Sequence, residues 1–204
     1  MKKQIVFIHG GDSFSNLVDF RTHLTRVPLR NLPGKQTSLH FTQTLAEDLG
    51  DDYEVFMPTM PNKQNADFGE WSIWFERHLS YLRDDITLIG WSLGGMFLAK
   101  YLSENKLPVR VGKLVLLAAP CGYCQSEDGN DCGNFQFDPS ILQNIAQNTN
   151  QVFILHSKDD FVVPITAAYE YKIALPEAQL LEFTDKNHFL TPRFDELLLL
   201  LNGK

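Results

Sequence analysis

The sequence predicts an α/β fold built on a parallel sheet with helices on both faces. Three observations carry this. Short apolar runs alternate with segments of helical periodicity along the chain. The runs are continuous rather than alternating, the pattern of strands buried on both sides. Finally, His9, Ser92, Asp159, Asp160 and His188 all fall at or just beyond the end of such a run. In parallel α/β sheets that is where ligands bind.

Gln4 to Ile8 reads as the first strand, ending in His9-Gly10-Gly11. Phe14, Leu17, Val18 and Phe20 suggest a helical turn or two in the long segment Asp12–Thr37, which Pro28, Pro33 and Gly34 interrupt. Ser38 is placed to cap a helix from about Leu39 to Leu49, with Phe41, Leu45 and Leu49 on one face and Gly50 as its stop. Tyr53 to Met57 is the second strand, stopped by Pro58. Glu70 to Arg83 carries Trp71, Trp74, Phe75, His78, Leu79 and Leu82 on one helical face, so both tryptophans read as a core stripe rather than a ligand platform.

Ile86 to Gly90 is strand three, and a helix follows to about Asn105. Lys113 to Ala119 is strand four, closed by Pro120. After the Cys121–Phe137 loop, Asp138 caps a helix through about Gln147. Val152 to His156 is strand five, and Pro164 opens a helix to about Ala174. Gln179 to Phe183 is strand six, and Pro192 opens a last helix whose Leu197–Leu201 run is buried on more than one side.

The 204 residues suffice for one domain with a full core and are short for two, so residues 1–204 are read as a single domain. A net charge of -7 without a Lys/Arg cluster argues against a nucleic-acid partner. No apolar stretch reaches membrane-span length, and the run before His9 is too short for a signal peptide. Cys121, Cys124 and Cys132 are an odd count, read as reduced thiols in the cytoplasm. No histidine lies near them, which disfavours zinc.

The chemistry centres on Gly90-Trp91-Ser92-Leu93-Gly94, a G-x-S-x-G between a strand and a helix. In this nucleophile-elbow pattern a sharp strained turn lifts a serine Oγ out of the backbone. Serine needs a base to take its proton, and in this architecture the acid and then the histidine follow it in the chain. Only His188 follows the acid candidates, because His9, His23, His40 and His78 precede Ser92 and His156 precedes the acids. The acid is Asp159 or Asp160, after strand five. Both cannot bond one imidazole nitrogen, so the other should face solvent or cap the next helix. Oxyanion donors are expected at the N–H of Leu93 and, after strand one, at Gly11, with Asp12 as fallback. His9 is expected to shape that loop rather than act as a base.

With these residues in place the chain resembles the α/β-hydrolase superfamily, most nearly the small lidless serine hydrolases similar to YdeN and retinoblastoma-binding protein 9. The resemblance rests on I-V-F-I-H-G, the M-P at Pro58, G-W-S-L-G-G, S-K-D-D-F-V-V-P and N-H-F, in that order. It implies a three-layer α/β-hydrolase fold with a six-stranded parallel sheet in the order 2-1-3-4-5-6, and a D-x-x-V-P spacing that puts the acid on Asp160. It implies a cytoplasmic carboxylesterase-like serine hydrolase acting on a small-molecule ester through Ser92, His188 and Asp160, with no metal or cofactor. Two alternatives stay open: an interaction module with a protein partner, which one family member's name suggests, and a thioesterase or peptidase. The Asp12–Thr37 and Cys121–Phe137 segments depart from the pattern and stand as candidate lid pieces.

Overall fold

A computed structural model describes residues 1–29, 39–124 and 129–203. Ser38, Pro33 and Gly34, expected to cap and break helices, lie outside the described residues. Six parallel strands form one sheet: β1 (Lys3–Ile8), β2 (Tyr53–Phe56), β3 (Ile86–Trp91), β4 (Val111–Leu117), β5 (Thr149–Ser157) and β6 (Gln179–Phe183). Their order is β2-β1-β3-β4-β5-β6, as the resemblance implied. The helices are α1 (Leu17–Arg26), α2 (Leu45–Leu49), α3 (Phe68–Glu76), α4 (Leu93–Glu104), α5 (Thr166–Ala174) and α6 (Asp195–Asn202).

Alternate strand residues point to opposite faces, and this splits the core in two. Val6, Ile8, Leu88, Leu114, Leu116 and Ile154 pack with Trp71 and Phe75 of α3, Met96 and Phe97 of α4, and Tyr171 of α5. Ile5, Phe7, Ile89, Val115, Leu117 and Leu155 pack on the other side with Phe41, Leu45, Phe194, Leu197 and Leu201. Fully burying a side chain of this size contributes roughly 1.5–3 kcal/mol, so the two layers fix the strand ends firmly. Trp71 is fully buried, in keeping with the core-stripe reading.

Several boundaries differ from the sequence reading, each for a local reason. The helix expected over 39–49 is two pieces, a 3-10 turn at Phe41–Gln43 and then α2. The His40 side chain accepts from the Thr42 N–H, and the Gln43 side chain takes the His40 N–H, so a capping box starts the helix at His40. The helix expected over 70–83 stops at Glu76. There His78 Nδ1 bonds the Trp74 carbonyl that an N–H would otherwise take, and the His78 N–H shifts to Phe75. Strand four ends at Leu117 because Ala118 turns with φ 47.

The segment after Asp138 is capped by its carboxylate, as expected, but winds as a 3-10 helix over Pro139–Gln147. Three residues per turn align Leu142 and Ile145 on the buried side. The last helix opens at Asp195 rather than Pro192, since the Thr191 carbonyl is tied across to the Phe41 N–H. Early in the chain α1 runs a full ten residues, capped by Asn16.

Cys124 and Cys132 form a disulfide with Cα atoms 5.8 Å apart, leaving Cys121 as the free thiol. This corrects the reading of three reduced thiols: the eye-catching C-x-x-C pair is not the one the loop brings together. With the bond in place the thiol count no longer argues for the cytoplasm. Among the described residues no helix is long and apolar enough to cross a membrane.

Candidate active site

Ser92 sits between β3 and α4 with φ 55 and ψ -127, a backbone that a non-glycine residue adopts only under constraint. The constraint is steric crowding around the turn. A Cβ on Gly90 would collide with the Gly94 carbonyl oxygen, and one on Gly94 with that of Ile8. Parallel pairing of Ile8 with Gly90 sets the end of β1 beside this turn. Gly10 then approaches so closely that a Cβ there would meet Ser92 Cβ at 3.0 Å.

His9 shapes the loop after β1, as expected. Its Nε2 accepts from the Met60 N–H at 2.8 Å, so the proton lies on Nδ1, which donates to the Gly10 carbonyl at 2.7 Å. Burial pushes its pKa below the usual histidine value; the Gly10 carbonyl opposes this and Lys63 adds to it. The Asp12 N–H is committed to the Lys63 carbonyl at 2.8 Å, which removes it as an oxyanion donor. Among the described residues the Gly11 N–H enters no such bond, and the Leu93 N–H opens α4 without an intrahelical acceptor. Gly11, Ser92 and Leu93 line one cavity of about 670 Å³, together with Tyr123, Phe161 and Val162.

On the far side, His188 Nδ1 donates to Asp160 Oδ2 at 2.8 Å, and the Asp160 side chain is wholly buried. Asp160 Oδ1 accepts from the N–H groups of Val162 and Val163, so one carboxylate both holds the imidazole and caps the following turn. His156, the other histidine at this end, is 1% exposed. Its Nε2 donates to the Val163 carbonyl at 2.9 Å and lies 3.5 Å from Asp160 Oδ2, which commits that nitrogen to the protein interior.

Asp159 does something the sequence reading did not foresee. Asp159 stays exposed, as expected, but its Oδ1 also accepts from the Asn187 N–H at 3.0 Å and from the Ser157 hydroxyl. The Ser157 oxygen in turn accepts from the Lys186 N–H at 3.1 Å. Lys158 and Asp159 lie in a turn. Both aspartates therefore reach the His188 loop, one at the ring and one at the backbone. These bonds lower the Asp159 pKa, Ser157 foremost.

Another contact went unforeseen. Trp91 Nε1 donates to the His188 carbonyl at 3.1 Å, and the Trp91 ring lies 5.5 Å from the imidazole. Among the described residues no hydrogen bond joins Ser92 Oγ to the His188 ring, and the link between them runs through Trp91. The only signal in the sequence was a tryptophan beside the serine, which does not reveal its partner.

The family model described as serine hydrolase matches residues 32–192. The chain belongs to the serine hydrolase family. A search of curated proteins finds no match. Solved structures agree on the fold. The ydeN gene product from B. subtilis aligns with a TM-score of 0.75 at 19% identity, covering 99% of this chain and 98% of that one. The meta-cleavage product hydrolase from Pseudomonas fluorescens IP01 gives 0.64 at 15% identity, covering 98% and 89%. A thioesterase domain from the curacin biosynthetic pathway gives 0.60 at 11% identity, covering 98% and 91%. The fold of this serine hydrolase is thus that of the α/β-hydrolases.

Proposed function

We propose that this serine hydrolase is a carboxylesterase for esters of small acyl groups, working through an acyl-enzyme. The observation that carries the reading is the buried Asp160 carboxylate on His188 Nδ1 at 2.8 Å, at the same carboxyl-terminal end of the strands as the strained Ser92. A carboxylate on Nδ1 keeps the proton there and leaves Nε2 unprotonated, the tautomer a general base needs. His188 Nε2 takes the Ser92 hydroxyl proton as Oγ attacks the ester carbonyl. The Leu93 and Gly11 N–H groups hold the oxyanion. The imidazolium, stabilised by Asp160, then gives its proton to the leaving alkoxide. Water, deprotonated by the same His188, attacks the acyl-enzyme, and Ser92 is regenerated with release of the carboxylic acid. In this reading the partner is a small-molecule ester, with no nucleic acid or membrane involved and no metal or cofactor required.

The test is fluorophosphonate labelling of Ser92, followed by turnover of a p-nitrophenyl ester series of increasing acyl length. Labelling at Ser92 with the best kcat/KM at short chains is the expected result. Absence of labelling would favour an interaction module. Faster cleavage of matched thioesters or amides would move the assignment to a thioesterase or peptidase.

A further inference from the structure

Asn187 and Phe189, on either side of His188, both have left-handed backbones, with φ of 49 and 55. For non-glycine residues this conformation costs energy and persists only when surrounding bonds impose it. Asp159 and Ser157 hold the loop from its N-terminal side. The bond to the histidine's own backbone comes from Trp91, whose indole N–H donates to the His188 carbonyl.

The same indole also faces the imidazole. The Trp91 and His188 ring centroids are 5.5 Å apart with the planes tilted by 40°. Trp91 also meets the His40 ring, at 4.8 Å and 34°. The His40 ring is fixed in turn by the bond between its Nδ1 and the Thr42 hydroxyl at 2.8 Å. Trp91 therefore touches the rings of both His188 and His40.

Geometry gives this arrangement a consequence. The imidazole turns about its Cα–Cβ and Cβ–Cγ bonds, and one hydrogen bond at Nδ1 does not fix both torsions. A plate against the ring and a bond to the backbone limit that turning. Trp91 is also the residue covalently joined to Ser92, so the elbow that presents the nucleophile also holds the histidine loop.

We infer that Trp91 is a positioning residue, which sets His188 relative to Ser92 through its indole N–H and its ring face. This rests on the Ser92–His188–Asp160 reading above. It assigns to Trp91 no contact with substrate. Its loss should therefore lower kcat and leave KM nearly unchanged.

The test is steady-state hydrolysis of a short-chain p-nitrophenyl ester by W91F and W91L, each in the wild-type and the H188A background, with folding checked by circular dichroism. W91F keeps a ring and loses the donor; one net hydrogen bond corresponds to a loss of about threefold to tenfold in kcat. W91L loses both contacts and should fall further. On H188A, where no imidazole remains to be positioned, both penalties should vanish, since residues acting as a unit are non-additive. Wild-type kcat in folded W91F and W91L, or penalties that persist undiminished on H188A, would overturn the inference. Should neither variant fold, the wild-type indole N–H is read by NMR. Exchange at least tenfold slower than in free tryptophan supports the bond, and exchange as fast overturns it. S92A with full turnover would remove the triad reading and this inference together, whereas dead S92A with unaffected W91F and W91L removes only the latter.

Discussion

Asp159 Oδ1 accepts a hydrogen bond from the backbone N–H of Asn187 at 3.0 Å, one residue before the imidazole that Asp160 holds. Two adjacent carboxylates thus serve one histidine in different ways. Asp160→Asn should disturb the tautomer of His188 and lower kcat by roughly 10⁴. Asp159→Asn retains an oxygen that can accept from Asn187 and should cost about tenfold or less, near the upper end for a single hydrogen bond. Asp159→Ala leaves that N–H without its partner and should cost more than Asp159→Asn. Kinetics of the three variants decide the matter, and a larger loss at Asp159→Asn than at Asp160→Asn would reverse the roles.

Ser92→Ala and His188→Ala should each leave only a residual ester hydrolysis, with losses of up to roughly 10⁶ in kcat. Neither change removes a large core side chain, so both proteins should fold. Active-site titration with a fluorophosphonate provides the check. Full labelling of Ser92→Ala would show that the reactive serine is elsewhere.

Of the two oxyanion donors proposed after β1, Asp12 has its N–H bonded to the Lys63 carbonyl, whereas among the described residues the Gly11 N–H enters no backbone bond. A Cβ on Gly11 would lie 2.6 Å from the Lys63 carbonyl oxygen, so Gly11→Ala must displace this backbone. Loss of one oxyanion donor costs about 10²–10³ in kcat, and that is the expected range for Gly11→Ala with its fold retained. An unchanged kcat would exclude Gly11 from the hole.

Acid should destabilise the protein through its buried histidines. His9, His40 and His156 are all held below the ordinary value of 6.5, mainly by burial. For His156 the Val163 carbonyl and Asp160 oppose that shift, and His188 adds to it. Their unfolded-state pKa values are the ordinary ones, so between 6.5 and the lower folded values the unfolded chain binds more protons. Stability from these groups is whole above about pH 6.5 and falls as pH drops through that window. Thermal melts from pH 7 to 5 should show the decline, and His156→Gln should make it shallower. A Tm that is flat over this range would contradict the assignment.

Cys121 lines the cavity yet should resist alkylation. Burial, with help from Glu170, pushes its thiol up to about 12, so almost no thiolate exists at pH 8. Iodoacetamide at pH 8 should leave Cys121 unmodified by peptide mass spectrometry and turnover unchanged. Rapid labelling in the folded protein would show the thiol to be accessible.

The sheet, its parallel strands and the candidate residues at their ends were legible in the chain, while the strand order came from the family resemblance. Continuous apolar runs such as Gln4–Ile8 and Ile86–Gly90 bury both faces of a strand, and that requirement acts locally on composition. Ser92, His188 and the Asp159/Asp160 pair stood out as candidates for a related reason: a strained turn demands Gly90 and Gly94, and a candidate order of serine, acid and histidine follows the order of the strands. Helix ends were less legible, because side chains such as His40 and His78 competed for backbone groups in ways that periodicity does not record. Contacts between distant segments could be decided only by the tertiary structure. Trp91 meets His188 across 97 positions, and Asp159 meets Asn187 across 28. The disulfide joins Cys124 to Cys132 rather than closing the adjacent C-x-x-C. Each depends on where a loop returns after the sheet has formed, and a loop's return path is set by bonds to residues far along the chain.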